Sequence, residues 1–377
     1  MPLSDPRSRR ALRKELDRLW VIGRSLVLGW SVIDDHLALL LLPNSRLPEI
    51  ETMGGELVAS GPRRMSPSAI AELGRWQGLD VVIVDRPVLA DMREADAAAI
   101  DELLKPYGIA FTERRAVGLL DIVGFSRASR LEQAALLNSL VHSIAIAQRR
   151  CRQLELGVAL GRMNTGDGFY LWNRRGGPEA DVNLVTLLIL ALADNRLTEV
   201  EGGLVPVLRT AVTVGSHFSF FQPGTDGEHA HEFIVGESTI AAARMSAAAQ
   251  ARQILVGARM IDGGLNATRL IEATQTRLVA LGAVPFASGT LRISAVRLSG
   301  GVSPQRSVVR GKHGIEYRTY NMRVDLAVDG GEEFSLGLAS GPGQATATDG
   351  AVATNDGVEP GRAGASAPPS VGGQAAE

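Results

Sequence analysis

Apolar and polar positions along this chain sort into two patterned regions and one unpatterned one. Charged and apolar residues alternate at helical spacing from Ser8 to Leu19, and residues 66–77 repeat that spacing. Residues 80–85 form a compact apolar run bounded by Asp80 and Asp85, and residues 93–104 read as an amphipathic helix stopped by Pro106. This alternation predicts a small α/β domain over residues 1–115, with the run ending in Asp85 as a strand of the kind common in parallel sheets. The most apolar stretch, residues 19–43, is interrupted by Arg24, Asp34, Asp35 and His36 before the short run 37–42. It reads as buried helix or strand rather than a membrane span.

From Ala116 the pattern changes. Residues 117–123 are apolar apart from Asp121, as in a strand covered on both faces, and Leu137, Leu140, Val141 and Ile144 then recur on one side of a helix. Two strand-like runs flank Gly166-Asp167-Gly168, three residues suited to a hairpin turn. A helix opening at 183–192, a strand at 208–214, a strand at 233–236 leading into the Ala-rich helix 239–250, and a strand at 253–257 complete the series. The order predicts a mixed sheet with covering helices over residues 116–328. Residues 329–377 are dominated by Gly, Ala, Ser, Thr, Pro and Asp and read as a disordered tail.

Composition narrows the function classes. Lys and Arg number 39 against 41 Asp and Glu, a net charge of -2, so no global field draws nucleic acid or an anionic membrane, and an anionic ligand must be met by local groups. The lone Cys151 forms no intrachain disulfide and no apolar leader opens the chain, which together point to a reducing, cytoplasmic setting.

The chemistry concentrates at two aspartates. Asp121 ends the apolar strand and runs into Ile122-Val123-Gly124-Phe125-Ser126, where a glycine lets the backbone turn and a following helix can present amide groups to phosphate. Asp167 sits in the hairpin turn. Two carboxylates converging from a strand end and a neighbouring hairpin suit a hard ion such as Mg²⁺ or Mn²⁺, although an Asp beside glycine also serves simply as a turn former. His217, His229 and His231 fit no familiar zinc spacing and read as loop or strand-surface residues.

Taken together, Leu120 to Ser126 resembles the opening strand motif of class III adenylate and guanylate cyclases, and Thr165-Gly166-Asp167-Gly168-Phe169 resembles their second metal-binding hairpin. Phe233 to Met245, containing Ala242-Ala243-Arg244, is similar to their strand-turn-helix block, and Gln253 to Val256 to the strand after it. The resemblance implies a ferredoxin-like mixed sheet, two Mg²⁺ or Mn²⁺ ions on Asp121, Ile122 and Asp167, and a homodimer with the site at its interface. It also implies conversion of a nucleoside triphosphate to a 3′,5′-cyclic nucleotide, with Gly124, Phe125 and Ser126 near the phosphates, Arg244 at the transition state and Lys312 on the triphosphate. At the family's Asn position stands Ile240, and at its base-reading positions stand Met163, able to pack against a base, and Phe233, able to stack on one, which leave its identity open. The alternative is a catalytically impaired cyclase-fold module that senses nucleotide or a partner. Gly330-Gly331-Glu332-Glu333-Phe334 spells the diguanylate cyclase signature, but in a region without sheet on both sides.

Overall fold

The structure is a computed structural model that describes residues 5–19, 25–52, 61–87, 94–222, 231–259, 265–286, 289–298, 306–310, 316–328 and 333–338. The first part is built on a four-stranded sheet, order β3-β1-β2-β4, from β1 (Ser25–Ile33), β2 (His36–Pro43), β3 (Arg63–Arg64) and β4 (Asp80–Pro87). Helices α1 (Pro6–Leu19) and α4 (Glu94–Leu104) contribute Leu12, Leu16, Ile100 and Leu104 to a core with Trp30 and Leu39. Helix α3 (Pro67–Gln77) contributes Ile70 to a second cluster with Leu28, Leu40 and Leu42. Leu40 and Leu42 are offset from Leu39 by odd numbers and so project from the sheet's other side, and Leu28 joins them through a bulge between Val27 and Gly29. The short helix α2 (Leu47–Thr52) connects β2 to this layer.

The stretch expected as buried helix or strand is strand: residues 25–43 form a hairpin, with Asp34 and Asp35 both at positive φ in a two-residue turn that its interrupting charges allow. One expectation changes here. The strand ending beyond Asp85 pairs antiparallel with β2 rather than joining a parallel sheet.

The second part carries the site. Strand β5 (Ile109–Ile122) is followed by α5 (Arg130–Gln153), the hairpin β6 (Leu160–Asn164) and β7 (Gly168–Asn173), α6 (Pro178–Val200) and β8 (Leu208–Gln222). The four strands lie side by side as β8-β5-β7-β6, all antiparallel, which is the βαββαβ order of a ferredoxin-like sheet. After β9 (His231–Val235) and α7 (Glu237–Ala248), strand β10 (Ile254–Arg259) joins parallel to β8 and makes the sheet mixed, as its sequence pattern predicts. Helix α8 (Leu265–Leu281) and strands β11 (Ala283–Phe286), β12 (Gly289–Leu298), β13 (Arg306–Arg310), β14 (Glu316–Val328) and β15 (Glu333–Leu336) extend it.

Strand alternation divides β5 into two sets. Ala116, Leu120 and Ile122 enter the main core beneath α5 and α6, while Val117, Leu119 and Asp121 face α7. Residues 116–122 are all buried, as a strand covered on both faces requires.

β5 starts at Ile109, so the expected division at residues 115 and 116 falls inside a single strand. The polar run Glu113-Arg114-Arg115 concealed this, because its charges are accommodated locally: Asp181 accepts from Arg114 at 3.1 Å and from the Ala116 amide at 2.7 Å. The ordered fold also runs past residue 329, since Glu333 and Phe334 of the diguanylate-cyclase-like string form β15 against β14. Residues 339–377, and with them most of the expected tail, lie outside the described residues.

Candidate functional site

Asp121 is paired on both sides, with Gly168 of β7 and Arg209 of β8 as its register partners. Gly168 permits the close approach: a Cβ there would sit 2.0 Å from the Leu120 carbonyl oxygen. The Ile122 amide then donates to the Asp167 carbonyl at 2.9 Å, and the Thr165 amide to the Gly168 carbonyl at 3.0 Å, which closes the hairpin. Asp121 and Asp167 are thereby neighbours, as expected.

The two carboxylates differ in surroundings. Asp121 is 8% exposed, and Asp167 is half-buried in the turn. Burial pushes the Asp121 pKa up, the Arg209 guanidinium pulls it down, and the negative charge of Asp167 adds to the rise. Arg209 donates from Nε to Asp121 Oδ2. Arg209 was not legible as a site residue, because only the β5–β8 register places it opposite Asp121.

Two carboxylates and the strand-end backbone at Ile122 are a hard oxygen donor set. Among the described residues no group of three or more His, Cys, Asp or Glu is placed to hold a metal. Any ion held by this pair would need further oxygens from a ligand.

Beyond Asp121 the chain turns at Gly124, whose φ of 72° is left-handed, into a 3-10 turn over Phe125–Arg127. Gly124 and Ser126 are exposed, whereas Phe125 is half-buried on the main core. A 3-10 turn thus stands between Asp121 and the following helix. α5 begins only at Arg130, and its first turn is closed by a capping box in which Ser129 Oγ accepts from the Glu132 amide at 3.4 Å and Glu132 accepts from the Ser129 amide at 2.8 Å.

On the same face, Tyr170 of β7 donates its hydroxyl to the Thr239 carbonyl at 3.0 Å, tying α7 to the sheet. Burial raises the Tyr170 pKa, and Asp121 adds to the effect. Arg244 lies one turn beyond Ile240 on α7. Its Nη1 is buried without a hydrogen-bond partner among the described residues, while Ile240 is 47% exposed.

Met163 of β6 packs against Val117, Trp172 and Ile234 on the Asp121 face. Phe233 adjoins Ile234 on β9 and therefore projects from the opposite face, where it stacks on Phe220 with ring centroids 5.4 Å apart and planes 11° from parallel. The expectation that Met163 and Phe233 share a base is thus corrected by strand alternation. His217, expected on a surface, is 1% exposed; burial and the nearby Arg115 hold its pKa down at about 4, and neither ring nitrogen has a hydrogen-bond partner among the described residues. Lys312 and His229 lie outside the described residues.

No helix among the described residues is long and apolar enough to cross a membrane. No protein-family model matches the sequence. Comparison with curated proteins also gives no match. Among solved structures, the chain is similar to the catalytic core of a rhodopsin-guanylyl cyclase with converted specificity in complex with ATPαS, at 16% identity, TM-score 0.39, over 57% of this chain and 97% of that one. It is also similar to the guanylate cyclase domain of RhGC from Catenaria anguillulae in complex with GTP, at 17% identity, TM-score 0.38, over 56% and 97%. The adenylyl cyclase CyaB from P. aeruginosa is similar at 16% identity, TM-score 0.38, over 57% and 95%.

Proposed function

We propose that this chain is a metal-dependent nucleotidyl cyclase that converts a nucleoside triphosphate to a 3′,5′-cyclic nucleotide and pyrophosphate. The observation that carries the reading is the adjacency of Asp121 and Asp167 at the joined ends of β5 and β7, where the like charge of Asp167 raises the Asp121 pKa. Two carboxylates held together in this way, with the Arg209 guanidinium on one of them, leave a net negative charge and oxygen donors suited to a hard cation.

Asp121, Asp167 and the Ile122 backbone would hold one or two Mg²⁺ or Mn²⁺ ions. When bound, such ions neutralise triphosphate charge and lower the pKa of a coordinated hydroxyl. The chain's own contribution is positioning. The exposed turn from Gly124 to Ser126 supplies backbone polar groups beside the pair, and Arg244, with an unpartnered buried nitrogen, supplies a donor for an anion. Arg244 would reach substrate across a homodimer interface, so an isolated monomer would be inactive. Met163 supplies an apolar wall on the Asp121 face.

A second reading is favoured by Ile240. An exposed isoleucine one turn before Arg244 cannot hydrogen-bond a ribose, which is consistent with a cyclase-fold module that binds nucleotide and turns it over poorly or not at all. Incubation of folded, dimeric protein with Mn²⁺ and each of the four common NTPs, followed by mass spectrometry, tests the first reading. A cyclic product supports it. No product with any base, together with metal-dependent NTP binding by calorimetry, favours the sensor.

A further inference from the structure

We propose that Arg209 is a resident counter-cation of the aspartate pair, which occupies Asp121 until a divalent ion displaces it and thereby weakens the empty site's hold on metal. The inference rests on the reading of Asp121 and Asp167 as metal ligands and adds how their affinity is set.

Arg209 and Asp121 face one another as register partners on adjacent antiparallel strands, and Nε of Arg209 lies on Oδ2 of Asp121. One oxygen of the more buried carboxylate is therefore already engaged. Counting formal charges, two carboxylates and one guanidinium leave a single negative charge where a bare pair would offer two. A divalent ion arriving on Asp121 meets a positive charge at hydrogen-bond range, and like charges so close in a half-buried setting are strongly unfavourable.

The side chain has somewhere to go. Arg209 is 31% exposed at its side chain against 11% for Asp121, so it can swing towards water while the carboxylate cannot. Its backbone is fixed: the Arg252 amide donates to the Leu208 carbonyl at 2.7 Å and the Thr210 amide to the Gln253 carbonyl at 2.9 Å, on either side of Arg209. Release of the carboxylate is thus a side-chain rotation that leaves β8 in place. Without a resident cation, Asp121 and Asp167 would face each other uncompensated in the empty protein.

The test is Mn²⁺ binding to the full chain without nucleotide, read by electron paramagnetic resonance. Arg209→Met should bind Mn²⁺ about tenfold more tightly than wild type, and Arg209→Lys, which keeps a cation, should bind as wild type does. Arg209→Gln is the second neutral variant, used if the methionine variant does not fold. Unchanged or weaker binding in the neutral variants, with wild-type binding abolished by Asp121→Asn, overturns this proposal and leaves the metal reading standing. Absence of Mn²⁺ binding in every variant overturns both.

Discussion

The amide of Ile122 donates to the carbonyl of Asp167 at 2.9 Å, so the residue after one candidate ligand is fastened to the backbone of the other. The spacing of the two aspartate backbones is thus a property of strand pairing.

Neutralising either aspartate should leave stability nearly unchanged and have the same effect on chemistry. Asp121→Asn removes the charge that Arg209 faces but also relieves the burial that holds this carboxyl's pKa up, so it should alter stability by less than about 1 kcal/mol. Asp167→Asn relieves a like-charge contact and should leave stability unchanged or raised. Both should reduce cyclic-nucleotide formation at least a hundredfold, a loss of about 3 kcal/mol or more in transition-state stabilisation. Thermal melts beside product assays check this, and marked destabilisation by either variant would contradict it.

Gly168→Ala should cost about 2–3 kcal/mol, because the added Cβ would press on the Leu120 carbonyl and part β7 from β5 beside Asp121. Gly124→Ala meets no atom within 4 Å and bears only the strain of its positive φ, about 1 kcal/mol. Urea titrations of the two variants should separate them by more than 1 kcal/mol.

His217 should make the fold acid-sensitive. Its folded pKa of about 4 lies below the ordinary 6.5, so the unfolded chain takes up the proton first as pH falls. The contribution is whole above pH 6.5, declines as pH falls towards 4, and reaches about 3 kcal/mol of lost stability there. Replacing His217 with leucine should flatten the stability profile between pH 6.5 and 4; a slope equal to wild type in that window would rule the histidine out as its source.

Ile240→Asn should raise turnover at least tenfold if the chain is a cyclase short of one ribose contact, since one well-placed hydrogen bond to a developing charge contributes about that much or more. The position is 47% exposed, so the change should alter stability by less than about 1 kcal/mol. No gain in turnover would favour the nucleotide-sensing module.

Much of this was legible in the residues. The apolar run into Asp121 and the glycine-flanked Asp167 carry strong local signals, and the helical spacing of Leu140 and Ile144 placed α5 on the core. What escaped depends on pairing between distant strands. Arg209 is one polar residue in an alternating strand until the β8 register sets it against Asp121, and Phe233 changes face only through its place next to Ile234. The start of β5 escaped because Glu113, Arg114 and Arg115 look like a loop. Their pairing with β8 is irregular between Thr112 and Arg115, where a local bulge tolerates charge.

β5 also has a mechanical meaning. The Gly108 turn that leads into it packs beside Pro62 and the Val27 carbonyl, and its first residues lie by Gly61, within the contacts of the amino-terminal sheet. Fourteen residues later the same strand ends at Ile122, next to Asp121, a span of about 43 Å in extended chain. From Val117 to Asp121 the strand is paired on both sides and resists bending, whereas the bulge between Thr112 and Arg115 is a place where it can bend. A tilt imposed at its amino-terminal end would be taken up at that bulge before it displaced the carboxylate at the far end.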